Sequence, residues 1–82
     1  MTTTPPPPLE LDVRPLVEAN RSPLPAIVAA MERLAPGQAL RLRVPFEPRP
    51  LYARMEAWGY QAEPTMRSDH WEVLFRPSDS TL

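Results

Sequence analysis

The thirteen prolines of this 82-residue chain fall in clusters, and their positions limit where a helix or a strand can form. Proline lacks a backbone N–H and has a fixed φ, so the first turn of a helix and the edge of a sheet tolerate it but their interiors do not. The run of three threonines and four prolines at residues 2–8 offers nothing to bury and favours an extended conformation. We therefore expect a disordered tail over residues 1–8, a domain over 9–77 and a flexible tail over 78–82.

Four segments between the prolines alternate apolar and polar residues, which is the period of a half-buried strand. They cover approximately residues 9–13, 40–44, 60–67 and 71–76. Pro64 lies inside the third segment and cannot donate a hydrogen bond to a neighbouring strand. That strand is therefore expected at an edge of the sheet.

Two segments have apolar residues at helical spacing. In the first, Ser22 is a good N-cap, Pro23 fits the first helical position, and Pro36-Gly37 ends the helix. Its apolar stripe consists of Leu24, Ile27, Val28, Met31 and Leu34.

The second predicted helix begins near residues 47–50 and ends at Gly59. Leu51, Met55 and Trp58 form its expected buried stripe. The resulting order is β-α-β-α-β-β, an α/β chain with three parallel strands, right-handed crossovers and a final hairpin. We expect one core cluster between sheet and helices, which contains Ile27, Met31, Leu42, Val73 and Phe75.

The order of several short stretches resembles the TusA-like (SirA-like) superfamily, in particular a branch known only as a domain of unknown function. The stretches are Leu11-Asp12-Val13-Arg14-Pro15-Leu16, Ser22-Pro23-Leu24-Pro25, Leu34-Ala35-Pro36-Gly37, Pro45-Phe46-Glu47-Pro48-Arg49-Pro50-Leu51 and Trp71-Glu72-Val73. The resemblance implies an α+β two-layer sandwich. Its four-stranded mixed sheet has the order 1-2-4-3, with strand four antiparallel and two helices on one face.

TusA-like sulfur carriers hold sulfur on the cysteine of a Cys-Pro-x-Pro motif at the start of the first helix. The matching position here is Ser22, and the chain contains no cysteine. A hydroxyl cannot form a persulfide, so sulfurtransferase chemistry, disulfides and thiolate metal sites are excluded. The fold of the superfamily is therefore expected here without its carrier chemistry.

The remaining composition argues against several functional classes. A net charge of −1 gives no general attraction to nucleic acid or to an anionic membrane. No apolar run reaches the length of a membrane span, and the first residues lack the features of a signal peptide, so we expect a cytoplasmic protein. With one histidine and no lysine or cysteine, no metal, cofactor or catalytic residue is expected, and an enzyme is disfavoured.

The predicted topology brings together the carboxyl ends of the parallel strands and the N-termini of both helices, where α/β sheets favour ligands. The candidate residues at this edge are Arg14, Arg21, Ser22, Glu47, Arg49, Arg67, Asp69 and His70. Four arginines favour an anion or an acidic partner. The competing interpretation is that Ser22 only caps the helix and that neighbouring acids, including Glu18, already neutralise the arginines.

The outward face of the sheet has a simpler interpretation. Arg41 and Arg43 of strand two are expected to lie between acids of both neighbouring strands, which predicts cross-strand ion pairs rather than an RNA-binding surface. The leading functional hypothesis is a non-catalytic binding or regulatory module that docks a protein partner or a small anion at the helix N-termini. The alternatives are an accessory domain in sulfur or redox metabolism beside a partner enzyme, and a structural interaction domain that uses the open sheet face.

Overall fold

A computed structural model describes residues 6–78 of the chain. The elements in order are β1 (Leu9–Asp12), α1 (Arg14–Glu18), α2 (Leu24–Glu32), β2 (Leu40–Val44), α3 (Arg49–Ala57), β3 (Tyr60–Met66) and β4 (Trp71–Pro77). Residues 1–5 and 79–82, which hold most of the two predicted tails, lie outside the described residues. Within the first tail, Pro6 and Pro7 are exposed, and the carbonyl of Pro7 accepts a hydrogen bond of 2.8 Å from Gln38 Nε2.

The four strands form one mixed sheet of order β1-β2-β4-β3. Strand β1 is parallel to β2, and β4 is antiparallel to both β2 and β3. This arrangement confirms the predicted strand order and class. Strand β3 is at an edge of the sheet, as the proline at position 64 predicted.

The alternation in each strand separates an apolar face from a charged face. Leu42 of β2 pairs with Leu11 of β1 and with Val73 of β4, so three apolar side chains lie side by side. The buried cluster formed by this face and the two long helices contains Val13, Ile27, Ala30, Leu40, Leu42, Val44, Leu51, Met55, Val73 and Phe75. Met31 is half-buried against this cluster, so the expected core set is confirmed.

Helix α2 is shorter than expected. It begins at Leu24 with Pro23 as its N-cap, and Ser22 precedes the cap; the Ser22 hydroxyl accepts a long hydrogen bond of 3.4 Å from the Leu24 N–H. The helix ends at Glu32 instead of continuing to Pro36-Gly37. The Gln38 side chain accepts the Ala35 N–H at 2.9 Å and stabilises a separate turn there, in which Gly37 has a φ of +81°.

The short helix α1 is absent from the predicted order β-α-β-α-β-β, because a proline directly after a strand is typical of a loop. Proline fits the first turn of a helix, however, and here Pro15 occupies such a position. The Asp12 carboxylate also accepts the free Arg14 N–H at 3.0 Å, which stabilises the start of the turn. The chain then leaves α1 through Asn20, whose φ of 59° lies in the left-handed region that asparagine tolerates.

Helix α3 buries Leu51 and Met55 as expected, but the prediction that Trp58 is buried is wrong. The helix ends at Ala57, so Trp58 is its C-cap residue and remains 45% exposed. Gly59, with a φ of +91°, then turns the chain into β3.

Candidate functional site

One edge of the sheet collects the segments that carry the candidate residues. Strands β1, β2 and β3 point the same way, so their carboxyl ends share this edge with the start of β4. The connections that follow β1 and β2 begin there and lead into α2 and α3. We call this edge the rim.

Arg14 lies at the rim and is paired with a neighbour on its own chain. Its guanidinium donates to both oxygens of Asp12, from Nε at 3.0 Å and from an Nη atom at 2.8 Å. This two-point hydrogen bond is the main reason that the pKa of Asp12 is lowered to about 2. Arg14 is therefore already engaged by a carboxylate.

Glu47, just before α3, and Arg49, the first residue of α3, form a second closed pair. Arg49 Nε donates to Glu47 at 2.9 Å, and the Tyr52 hydroxyl donates to the other Glu47 oxygen at 3.2 Å. Burial of Tyr52, followed by the charge of Glu47, raises the pKa of Tyr52 to about 12. Glu47 thus orders the start of α3 and neutralises Arg49.

The β3–β4 hairpin holds the other candidates. The Arg67 N–H donates to the His70 carbonyl at 2.8 Å and closes the turn, while Arg67 Nε donates to Glu72 at 2.8 Å. Glu72 faces outward on β4, so the Arg67 guanidinium belongs to the open face of the sheet. Asp69 and His70 contact each other, with 2.6 Å between Oδ1 and Nδ1, and this hydrogen bond lowers the pKa of Asp69.

Arg21 differs from the other three rim arginines. No carboxylate of residues 6–78 lies within 4.0 Å of its guanidinium, whereas Arg14, Arg49 and Arg67 each have an acidic partner. The hypothesis of an anion site was based on four arginines. Among the described residues, three of them already have an acidic partner, so this support is weaker than the sequence indicated.

The same geometry bears on hydrolytic and metal chemistry. The Ser22 hydroxyl is engaged by a backbone N–H and the His70 ring by Asp69, so neither is hydrogen-bonded to the other. Among the described residues no group of three His, Asp or Glu side chains is placed to hold a metal ion. No helix in this part of the chain is long and apolar enough to cross a membrane.

Sequence reasoning missed an apolar groove at the rim. The groove has a volume of about 220 Å³ and lies between the first turns of α2 and α3, above the end of β2. We call it the rim groove; it is lined by Pro23, Leu24, Ile27, Val44, Phe46, Pro48, Pro50, Leu51 and Arg54. Phe46 is 49% exposed at this groove. The available signal was an aromatic residue between Pro45 and Pro48, outside every alternating or helical stripe.

A second groove lies at the other end of the helical layer. Its lining residues are Val28, Met31, Glu32, Trp58 and Tyr60. Pro50, Arg54 and Trp58 are spaced four residues apart, so they share one side of α3, and this side faces the two grooves. The second groove is mixed in character, because the carboxylate of Glu32 lies among its apolar and aromatic residues.

The open face of the sheet has a different character, because its charges pair across the strands. Arg41 contacts Glu10 on β1 at 2.8 Å and Glu72 on β4 at 2.9 Å, and Arg43 contacts Glu10 at 2.9 Å. Farther along, Arg76 contacts Glu63 on β3 at 2.7 Å. The predicted cross-strand ion pairs are confirmed.

Comparison with known proteins places the chain in a family without giving it a function. No curated protein and no solved structure matches the chain significantly. Residues 10–77, the span from β1 to the end of β4, match a family described as an uncharacterised conserved protein, DUF2249. The chain belongs to the DUF2249 family of uncharacterised conserved proteins.

Proposed function

We propose that this domain is a non-catalytic binding module that docks a segment of a partner protein at the rim, with the rim groove at the centre of the contact. One observation carries the proposal. Phe46 is 49% exposed beside an apolar groove, although the fold has buried side chains of similar size such as Phe75 completely. An exposed aromatic side chain at an apolar groove is typical of an interaction site.

The surroundings of the groove support a protein as the ligand. Protein interfaces combine an apolar centre with a polar periphery. Here the groove supplies the centre, and the paired residues Glu47 and Arg49 lie next to it in sequence and supply ordered polar groups. This arrangement favours a macromolecular partner over a free small anion, because an anion would have to compete with Asp12, Glu47 and Glu72 for the rim arginines.

The size of the groove points the same way. Pockets that enclose a cofactor or a drug-sized molecule measure about 300–1,000 Å³. The rim groove, at about 220 Å³, is smaller and suits a single side chain of a docked segment.

A finer interpretation keeps the TusA-like relationship. It is supported by the β1-β2-β4-β3 order, which the resemblance implied, and by Ser22, which immediately precedes the cap of α2. In this interpretation the domain retains a sulfur-carrier frame and works beside a partner enzyme of sulfur or redox metabolism that supplies the reactive group. The identity of the partner distinguishes this role from a general regulatory one.

The test begins with affinity purification of the full chain from its native host, followed by calorimetry with the purified partner. We expect one partner in stoichiometric amount, whose affinity falls at least about tenfold with Phe46→Asp, because a carboxylate placed at the apolar groove must be desolvated. Leu74→Asp is the matched control, because Leu74 of β4 pairs with Arg41 of β2 on the open face, and it should leave the affinity unchanged. Binding that depends on Leu74 and not on Phe46 would transfer the function to the open sheet face.

A further inference from the structure

We infer that the segment docked in the rim groove carries one large apolar side chain with an acidic residue beside it, and that Arg54 binds the acidic residue. This inference rests on the proposed function and specifies the chemistry of the partner. The observations behind it are the size of the groove, the rigidity of its walls and the distribution of charge around it.

The size of the groove limits how much of a partner it accepts. A cavity of about 150 Å³ accommodates a benzene molecule. The rim groove, at about 220 Å³, therefore has room for one aromatic ring or one large branched side chain, but not for a whole helix face. A single anchor residue is the occupant that this volume fits.

The walls of the groove are rigid. Ile27, Val44 and Leu51 are buried and belong to the core of the domain. The remaining walls include the three prolines Pro23, Pro48 and Pro50, whose ring-constrained backbones have little freedom to lose. Because these parts of the wall are preformed, the ordering cost of binding an anchor is reduced to that of the exposed lining side chains Phe46 and Arg54.

The charge beside the groove is positive and uncompensated. Among the residues that line it, Arg54 is the one that carries a charge. No carboxylate within the described part of the chain lies within 4.0 Å of Arg54, whereas Arg49 next to Pro50 is held by Glu47. Arg21, two residues before the groove residue Pro23, likewise has no acidic partner among residues 6–78. The unmet charge thus favours an acidic neighbour of the anchor and disfavours a basic segment.

The experiment is an amide-shift titration of the full chain at low ionic strength with short capped peptides. The first probe has a central phenylalanine flanked by glutamates. The second replaces the glutamates with glutamines, and the third replaces the phenylalanine with alanine. A fourth probe, 3-phenylpropionate, offers the same ring and a carboxylate without a peptide chain.

We expect saturable shifts at Leu24, Phe46 and Leu51 with the first peptide. Because a charge-assisted hydrogen bond to Arg54 is lost, the glutamine peptide should bind about tenfold more weakly. Arg54→Gln should remove the preference for glutamate. Arg33→Gln is the matched control: Arg33 is an exposed arginine at the end of α2 that lines neither groove, and the preference should survive its loss.

Four results would overturn the inference. Equal affinity for the glutamate and glutamine peptides would remove the role of charge, and equal loss in Arg33→Gln would reduce it to net charge. Equal binding of the alanine peptide would remove the anchor. Tighter or equal binding of 3-phenylpropionate would assign the groove to small carboxylic acids. If the glutamate and glutamine peptides bind equally, the inference about charge fails, but Phe46-dependent binding of the purified partner still supports the proposed function. If the purified partner binds Phe46→Asp as well as it binds the wild type, both the inference and the proposed function are refuted.

Discussion

The two faces of the sheet differ in whether their exposed groups have partners within the domain. On the open face, each arginine of β2 contacts at least one carboxylate, and Arg41 contacts both Glu10 and Glu72. On the helical face, the layer above the sheet is incomplete, and Phe46 and Trp58 remain about half exposed beside two grooves. The charged groups of the open face are thus paired, whereas the exposed aromatic side chains of the helical face are only partly covered.

This difference shows which surface needs a partner. Exposed ion pairs contribute little free energy and, once formed, leave no unmet charge for a ligand. Exposed aromatic side chains at a groove keep apolar area in contact with water, and a partner can remove that area. Pairing within the domain therefore accounts for the charged groups of the open face. The exposed apolar surface between α2 and α3 has no such account within the described residues.

The largest effect that tests this comparison concerns neighbouring residues of β2 that face opposite ways. Leu42 is fully buried, so Leu42→Ala should lower the free energy of unfolding by about 2–5 kcal/mol. Arg43 faces outward and contacts Glu10, so Arg43→Ala should cost less than about 1 kcal/mol. Urea denaturation followed by tryptophan fluorescence measures both; losses of the same size would mean that the two faces are not distinct.

The next effect distinguishes buried apolar residues of the helical face, which stabilise the fold, from exposed ones, which do not. Leu51 is 8% exposed and its replacement by alanine should cost about 2–5 kcal/mol. Phe46 is only half buried, so Phe46→Ser should cost at most about 1 kcal/mol of unfolding free energy. A large loss of thermal stability in Phe46→Ser would make Phe46 a core residue and would remove the main support for the docking proposal.

A thiol probe compares the rim with the open face. The chain has no cysteine, so each variant carries a single thiol. In Ser22→Cys the thiol takes the place of the hydroxyl that accepts the Leu24 N–H at the start of α2, and it lies next to Arg21 in sequence. Both features should lower the pKa of the thiol and speed its alkylation by iodoacetamide near neutral pH. Thr65→Cys is the control, because Thr65 pairs with Glu72 on the open face. Equal alkylation rates would show that the rim has no positive potential.

Much of the fold could be predicted because it follows from patterns among neighbouring residues of the sequence. A strand that alternates apolar and polar residues has only one way to face a core, so Leu42, Val73 and Phe75 could be assigned to one cluster from the sequence. Pro64 identified the edge strand because a missing N–H is tolerated only there.

The rest depends on distances that no local pattern contains. The rim groove exists because α2 and α3, far apart in sequence, leave a gap above Val44. Arg67 contacts Glu72 because the hairpin register places them on one face, although Asp69 is nearer to Arg67 in sequence. Trp58 fits the helical stripe, but α3 ends one residue too early to bury it.

The smallest effect tests whether a rim ion pair adds stability at all. The pKa of Asp12 is lowered from 3.8 to about 2, chiefly by the Arg14 guanidinium, so the charged carboxylate stabilises the folded state. A group with a lowered folded-state pKa contributes fully above its unfolded pKa, and the contribution disappears as pH falls toward the folded value. The relevant window is therefore pH 4 to about 2. Asp12→Asn keeps one acceptor oxygen for the Arg14 N–H. It removes the charge and replaces one of the two oxygens that the Arg14 guanidinium contacts with an NH2 donor.

Because the Asp12 side chain is 37% exposed, solvent screens this pair, and Asp12→Asn should cost less than about 1 kcal/mol at neutral pH. The difference between wild type and variant should shrink through the acid window, and added salt should reduce it at neutral pH. Urea unfolding of both proteins at several pH values measures it. A difference that is independent of pH would mean that the carboxylate acts through packing or hydrogen bonding alone. The positive charge of Arg14 would then not be neutralised by Asp12. Arg14 could in that case contribute to an anion site at the rim.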